Sequence, residues 1–262
     1  MRALSTAATG MMAMQTNVQV IANNLANMTT TGYKRQRAEF QDLLYDHVTR
    51  IGTQTSAQGN MMPVGIDLGS GVKTVGTPRL MTQGTLSPTG NPLDLAVRGD
   101  GFFKILMPDG TFSYTRDGSF TTDGQGRIVT AQGNLVQPTI TIPQNSSGLA
   151  VNTQGQVSVI PQGTTNPTVL GQLTVTRFIN QTGLLPIGDN LYTETPASGT
   201  PQDGTGSTDG AGDVLQQNLE QSNVDSVSEI TSLIAAQRAY EMNGKVITAA
   251  DQMLSTTSNL MR

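Results

Sequence analysis

The sequence predicts an α+β fold, in which helices at the two ends of the chain pair as a coiled coil around a central, mostly antiparallel β domain. Two observations support this prediction. Apolar residues repeat every seven positions at both ends of the chain, and short strand-like segments separated by turn residues fill the middle. The composition agrees, because 29 of the 262 residues are glycine, 12 are proline and only 13% are charged. We therefore expect turns, strands and amide-rich surfaces more than a dense aromatic core.

The N-terminal stretch carries a coiled-coil stripe up to Met28. Two apolar registers, each repeating every seven residues, alternate at spacings of three and four residues. The two registers are Leu4, Met11, Val18 and Leu25, and Ala7, Met14, Ile21 and Met28. The opposite face is polar but uncharged, which indicates that this helix packs against other protein.

The C-terminal stretch carries a matching stripe after Ser226 and Glu229, whose spacing is typical of a helix-capping box. Large residues occupy one register, namely Leu233, Tyr240, Ile247, Leu254 and Met261. The second register holds small or polar residues, namely Ala236, Asn243, Ala250 and Thr257. This alternation predicts close approach to the N-terminal helix. Two such helices leave much apolar surface open, so we expect neighbouring molecules to order them.

The end of the first helix predicts a fixed connector. Asparagines crowd it, Gly32 allows a turn, and a small basic cluster follows; the residues are Asn23, Asn24, Asn27, Gly32, Lys34, Arg35 and Arg37. We expect the asparagines to satisfy backbone groups, and the dipole at the end of a helix favours the cations that follow it. Nucleic acid is not expected, because the net charge is −4 and three cations make too small a basic surface.

Residues 71–200 predict strands joined by Asp-Gly turns, for example at Asp109-Gly110 and Asp117-Gly118. The predicted divisions of the chain are 1–45 for the helix and connector, 46–70 for an extended loop, 71–214 for the β domain, and 215–262 for the C-terminal helical part.

The chemical motifs do not indicate an enzyme, a metal or a cofactor. The chain has no cysteine, and its one histidine, His47, has no nucleophile turn near it. The Asp-Gly pairs lack the carboxylate spacing of a calcium loop. Arg98-Gly99-Asp100 spells an adhesion tripeptide, so a β-type surface adhesion module remains an alternative, although a strand-joining turn is the favoured interpretation. The N-terminus lacks the sustained apolar run of a cleaved signal peptide.

Four segments resemble the bacterial flagellar rod and hook family. They are NNLANMTTTGYKRQRAEFQDLLY (23–45), GDGFF (99–103) with YTRDGSF (114–120), LTVTRFINQTGLLPIGDNLYTET (173–195), and LEQSNVDSVSEITSLIAAQRAYEMNGKVITAADQML (219–254). They span nearly the whole chain in the family's order. Length and the GYKRQRAEFQDLLY run point to the distal-rod branch, with a proximal-rod or hook-type protein as the alternative.

The resemblance implies a structural subunit of a helical homopolymer, a hollow rigid shaft across the periplasm that carries torque and encloses the export channel. It implies that the two heptad stripes and the connector residues form assembly contacts, and that segment 46–70 stiffens the rod. The implied partners are proximal rod proteins, the hook or hook-junction proteins, the P-ring and L-ring bushings, and the flagellar type III export apparatus, which removes no signal peptide.

Overall fold

The structure, a computed structural model, describes residues 2–49, 64–163, 166–206 and 210–260. These residues divide into two compact units. The first takes its residues from Met1–Leu25, Gln36–Pro78 and Asp225–Arg262, and the second from Ala26–Arg35 and Arg79–Val224. The predicted α+β class, with paired terminal helices and a central antiparallel β domain, is confirmed. No helix among the described residues is long and apolar enough to cross a membrane.

The first unit contains both long helices and two small β ribbons. Its elements are α1 (Arg2–Ala26), β1 (Glu39–Asp42), β2 (Tyr45–Thr49), β3 (Ile66–Gly69), β4 (Val72–Gly76) and α2 (Ser226–Leu260). The strand pairs β1–β4 and β2–β3 are antiparallel. Val72 N–H donates to the Thr9 hydroxyl at 3.3 Å, which fixes the start of β4 on the surface of α1.

The cap of α2 lies one residue earlier than the sequence predicts. Asp225 Oδ1 accepts a hydrogen bond from Val227 N–H at 3.3 Å, in the usual manner of an N-cap carboxylate. The Glu229 carboxylate, which the capping-box spacing assigns to the helix start, accepts a hydrogen bond from Asn24 of α1.

The ends of the predicted 46–70 loop are strands. Tyr45 lies opposite Gly69 and His47 opposite Asp67 in the β2–β3 ribbon. Residues 50–63 of that predicted loop lie outside the described residues.

The described residues of the second unit form short strands and one 3₁₀ turn at Gln181–Gly183. Its strands are β5 (Leu86–Pro88), β6 (Leu95–Arg98), β7 (Phe102–Leu106), β8 (Phe112–Thr115), β9 (Thr121–Thr122), β10 (Ile128–Val129), β11 (Leu135–Gln137), β12 (Ser146–Val151), β13 (Gln156–Pro161), β14 (Thr168–Gln172), β15 (Val175–Arg177), β16 (Leu185–Gly188), β17 (Leu191–Thr193), β18 (Gln202–Gly204), β19 (Asp213–Gln216) and β20 (Asn218–Glu220).

The main sheet has the order β16-β17-β8-β7-β11-β10-β9, and β15 joins it beside β7 while pairing with β18 on its other side. A separate three-stranded sheet has the order β12-β13-β14. Two further ribbons, β19–β6 and β20–β5, tie the residues before α2 to the start of the domain. Every pair among these strands is antiparallel, as the run of Asp-Gly turns predicts.

Strand β7 separates two cores because alternate side chains of a strand point to opposite faces. Phe103 and Ile105 belong to the larger core, while Phe102 packs with Tyr114 and Tyr192 in the smaller one. Aromatic residues are few, yet they concentrate here in edge-to-face pairs, such as Tyr114 with Phe178 at 4.8 Å between ring centroids. The composition-based expectation against an aromatic core therefore fails at this one place.

Two predicted turns are present. Asp109-Gly110 joins β7 to β8, and Gly110 adopts the positive φ that favours glycine. Arg98-Gly99-Asp100 joins β6 to β7, and the Arg98 guanidinium forms an ion pair with Asp213 at 2.5 Å. The adhesion tripeptide is thus part of a strand connection.

Candidate assembly site: two buried clusters and the helix seam

Glu220 is the centre of a buried ionic cluster in the second unit. Its Oε1 lies 2.5 Å from Lys34 Nζ, and its Oε2 lies 3.3 Å from a terminal nitrogen of Arg116. Gly84 N–H donates to Oε1 at 2.9 Å, and Lys34 also donates to the Thr82 carbonyl at 2.9 Å. The three charged residues are at most 2% exposed, so the carboxylate has exchanged water for these donors.

Burial dominates the electrostatics of both cations. Removal from water lowers the pKa of the Lys34 ammonium, and the nearby Glu220 carboxylate opposes that shift. Burial likewise lowers the pKa of the Arg116 guanidinium, again against the opposing effect of Glu220. The Arg116 guanidinium also lies over the Phe102 ring, 5.1 Å from its centroid.

Asn223 ties the chain before α2 to the chain after α1. Its Oδ1 accepts from Arg35 N–H at 2.7 Å, and its backbone N–H donates to the Tyr33 carbonyl at 3.4 Å. Its side-chain nitrogen donates to the Leu80 carbonyl at 2.8 Å. One side-chain amide therefore organises three segments of the second unit.

Asn24 links separate segments of the first unit in the same way, by hydrogen bonds of its side chain. It receives the Gln36 backbone N–H and donates to the Gln36 carbonyl, both at 2.8 Å. It also donates to Glu229 Oε2 at 3.3 Å. Asn24 and Glu229 are both buried, so this amide is the point where the end of α1, the following connector and the start of α2 meet.

The helix seam, meaning the facing residues of α1 and α2, has one antiparallel register. Gly10 lies against Asn243, and Asn24 lies against Glu229. The two α1 residues are as far apart in sequence as the two α2 residues, so one register accounts for both contacts. Small or polar residues thus line the closest contact, with Ala236 and Ala250 buried on α2. The predicted small-residue register of α2 is the one that faces α1.

The apolar residues predicted for the seam are distributed unevenly. Ile21 is buried, and seven others are half-buried: Leu4, Met11, Met14, Val18 and Leu25 on α1, and Leu233 and Ile247 on α2. Tyr240 is 45% exposed. Leu254 is also exposed, because the register brings α1 to its start near Ala250 and residues 251–260 extend past it. Met261 lies outside the described residues.

The basic cluster differs from its predicted role. Lys34 is buried against Glu220 of its own chain, so it is not an exposed contact for an adjacent subunit. Arg37 is exposed and pairs with Glu39 at 2.7 Å, while Arg35 is half-buried. Gly32 has φ 67°, and a Cβ there would lie 2.8 Å from the Arg116 carbonyl carbon, so glycine is required by close packing.

The asparagines also differ in detail. Asn24 bonds the connector and α2 in place of the carbonyls at the end of α1. Asn27 Oδ1 accepts from the Thr30 hydroxyl at 3.2 Å, which closes the turn after the helix, and Asn23 is exposed. Sequence analysis missed Arg116, Glu220, Asn223 and Glu229 as cluster residues, although each lies in a segment that carries the family resemblance.

The remaining chemical candidate, His47, forms an exposed pair with Asp67 at 2.5 Å between Nδ1 and Oδ1. The part of the chain that the structure describes contains no group of three or more His, Asp or Glu residues placed to hold a metal ion.

Comparison with known families matches three parts of the chain. Residues 4–34 match "Flagella basal body rod protein", residues 96–159 match "Flagellar hook protein FlgE/F/G D1 domain", and residues 215–260 match "Flagellar basal body rod FlgEFG protein C-terminal". The first region contains most of α1 together with Lys34. The second contains β7, β8 and Arg116, and the third contains Glu220 and α2.

Individual relatives extend the match over the full length. The flagellar basal-body rod protein FlgG of Caulobacter vibrioides is 54% identical over 260 residues, covering 99% of both chains. FlgG of Agrobacterium fabrum is 49% identical over all of both chains. The rod protein FlgF of Caulobacter vibrioides is 34% identical, over 96% of this chain and 91% of its own. The resemblance inferred from the motifs is confirmed, and the chain belongs to the family of FlgG flagellar basal-body rod proteins.

Proposed function

We propose that this protein is a structural subunit of the distal rod of the bacterial flagellum. Many copies polymerise helically into a hollow, rigid shaft that crosses the periplasm, transmits torque to the hook and encloses the export channel. The observation that carries the proposal is the exposed apolar surface of α2, on a chain that matches rod proteins over its whole length.

That surface is large for an isolated molecule. Nine large hydrophobic residues of α2 are exposed: Val227, Ile230, Ile234, Tyr240, Met242, Val246, Met253, Leu254 and Leu260. They lie on more than one side of the helix. An apolar surface of this kind marks an interaction site, and contacts on several sides suit a subunit surrounded by copies of itself. Because the helix carries few charges, its burial would desolvate few ions.

The assembly contacts that we propose therefore differ from those that the sequence analysis predicts. Exposed positions of α2 meet neighbouring subunits, while the seam residues and Lys34 hold one subunit together. The β2–β3 ribbon, with Val48 and Leu68 exposed, is the part of segment 46–70 that we propose stiffens the shaft. Deleting residues 46–65 should leave a folded subunit and a bent or soft rod; straight rods would contradict this role.

The proposed partners are proximal rod proteins below, hook or hook-junction proteins above, and the P-ring and L-ring around the shaft. Delivery is by the flagellar type III export apparatus without cleavage of a signal peptide. We infer no catalytic role.

Val246→Asp tests the packing surface. The variant places a charge on the exposed apolar side of α2, and we expect loss of motility and of distal rod in a strain that lacks the native gene. The matched control is Thr248→Asp, which adds the same charge at an exposed polar position two residues away. Equal behaviour of the two variants would contradict the packing surface.

Electron microscopy of basal bodies from the gene-deletion strain tests the assignment to the distal rod. A rod that stops short of the outer rings supports it. Complete absence of a rod would favour the proximal-rod alternative, and a normal full-length rod would refute a rod function.

A further inference from the structure

Glu220 forms ion pairs with two cations from distant parts of the chain. Lys34 is 186 residues away and Arg116 is 104 residues away. One belongs to the segment after α1, the other to the segment after β8, and Glu220 ends β20 just before α2. All three side chains are buried, so the site forms only when three separate segments are in place.

The two cations have few other acceptors. Beyond Glu220, Lys34 donates to the Thr82 carbonyl, and Arg116 lies 3.4 Å from the Val97 carbonyl. Arg116 Nε has no hydrogen-bond partner among the described residues. Asp100 also acts on both cations through space. Without Glu220, two like charges would be buried together without the carboxylate that pairs with both, which is far more costly than leaving them in water.

The backbone makes the same connection. Gly32 N–H donates to the Glu220 carbonyl at 2.7 Å, and Gly32 packs against the Arg116 backbone. Strand β20 pairs Glu220 with Leu86. The carboxylate therefore arrives on a strand that also fixes the N-terminal connector.

We propose that Glu220 is a latch that makes closure of the β core conditional on both chain ends. The core around Phe102 and Arg116 closes over Lys34 only after the C-terminal segment supplies the carboxylate. This rests on the proposed function in one respect: a rod subunit delivered as an unfolded chain through a narrow channel would stay open until the segments that carry Lys34 and Glu220 had both emerged.

The test compares two full-length variants by hydrogen exchange and mass spectrometry. Glu220→Gln keeps the shape and removes the charge. Asp213→Asn is the control, because Asp213 is also an acid paired with an arginine on a late strand of this unit, but its partner Arg98 is exposed.

In Glu220→Gln we expect exchange of residues 102–115 and 31–35 to accelerate together, by about tenfold or more, because both segments depend on the same carboxylate. In Asp213→Asn we expect no change beyond about threefold. Acceleration limited to strand β20 and its neighbours would overturn the latch, as would equal effects in the two variants.

Should Glu220→Gln fail to fold, the triple variant Lys34→Met, Arg116→Met, Glu220→Leu decides the question. It removes every charge of the cluster, so the latch predicts that folding returns and that exchange in the two segments is slow again. Failure of the triple variant to fold would overturn a charge-based latch. Both measurements use purified protein. A negative result would therefore overturn the latch without contradicting the rod function. A rod defect alone would not support the latch.

Discussion

Gly10 of α1 faces Asn243 of α2 so closely that a Cβ on Gly10 would lie 3.0 Å from the Asn243 side-chain nitrogen. Asn24 and Glu229 form the second contact of the same antiparallel register, which runs through small and polar residues. A side chain at Gly10 would therefore have to displace the end of the Asn243 side chain. A narrow contact of this kind supplies little apolar burial of its own, which agrees with the large apolar surface that α2 leaves exposed.

Gly10→Val should weaken the helix pair because the new side chain has no room beside Asn243. Overpacking of this kind costs roughly 1–3 kcal/mol of unfolding free energy. The matched control is Gly244→Ala, where nothing lies within 4 Å of the added Cβ. That substitution should raise stability by about 0.5–1 kcal/mol through better helix propensity. Urea unfolding followed by circular dichroism measures both, and a stabilised Gly10→Val would contradict the seam.

Asn24→Ala should destabilise the protein more than any exposed substitution on α1. It leaves the buried Glu229 carboxylate and both backbone groups of Gln36 without the bonds that Asn24 makes. A buried polar group deprived of its partner costs about 1–3 kcal/mol, so a loss of at least that size is expected. Gln19→Ala, at an exposed position of the same helix, should change the unfolding free energy by less than about 0.5 kcal/mol. Comparable losses in the two variants would show that Asn24 does not organise the connector.

Ile247→Asp tests the large-residue register of α2. Ile247 is half-buried, so a carboxylate at this position loses part of the water it needs. We expect no motility and no distal rod, with a lowered melting temperature of the purified subunit. Ile247→Val keeps an apolar side chain and should support normal swimming at a cost of about 0.5–1.5 kcal/mol. Full rods in the aspartate variant would mean that this register is not packed.

The elements that sequence analysis identified correctly are those encoded locally. Heptad spacing predicts a helix at each end of the chain, and Asp109-Gly110 predicts a hairpin, because periodicity and glycine at positive φ are properties of short segments. Heptad spacing does not determine how far one helix is displaced along the other. The spacing therefore places Leu254 in the seam, although α1 begins near Ala250 in this register and Leu254 is exposed.

The misassigned role of Lys34 has a different cause. In the sequence, Lys34 stands between Tyr33 and Arg35 in a turn, which is the usual setting of a solvated cation. Its carboxylate partner is 186 residues away, and nothing local distinguishes a lysine that has such a partner from one that does not. A buried ionic pair is a property of the tertiary fold, and the sequence around each partner does not predict it.

The raised pKa of Tyr114 predicts that the protein loses stability in alkali. The residue is 1% exposed, and burial, with smaller effects of Glu194 and Asp203, raises its pKa to about 12. The phenol of an unfolded chain ionises near pH 10, so between about pH 10 and 12 the folded state holds a proton that the unfolded state has lost. The unfolding free energy should therefore fall as pH rises through this window. Tyr114→Phe removes the ionising group and should flatten the fall, whereas Tyr240→Phe on the exposed side of α2 should keep the slope of the original protein. Denaturant unfolding at a series of alkaline pH values measures all three proteins, and an unchanged slope in Tyr114→Phe would show that this phenol does not govern the alkaline transition.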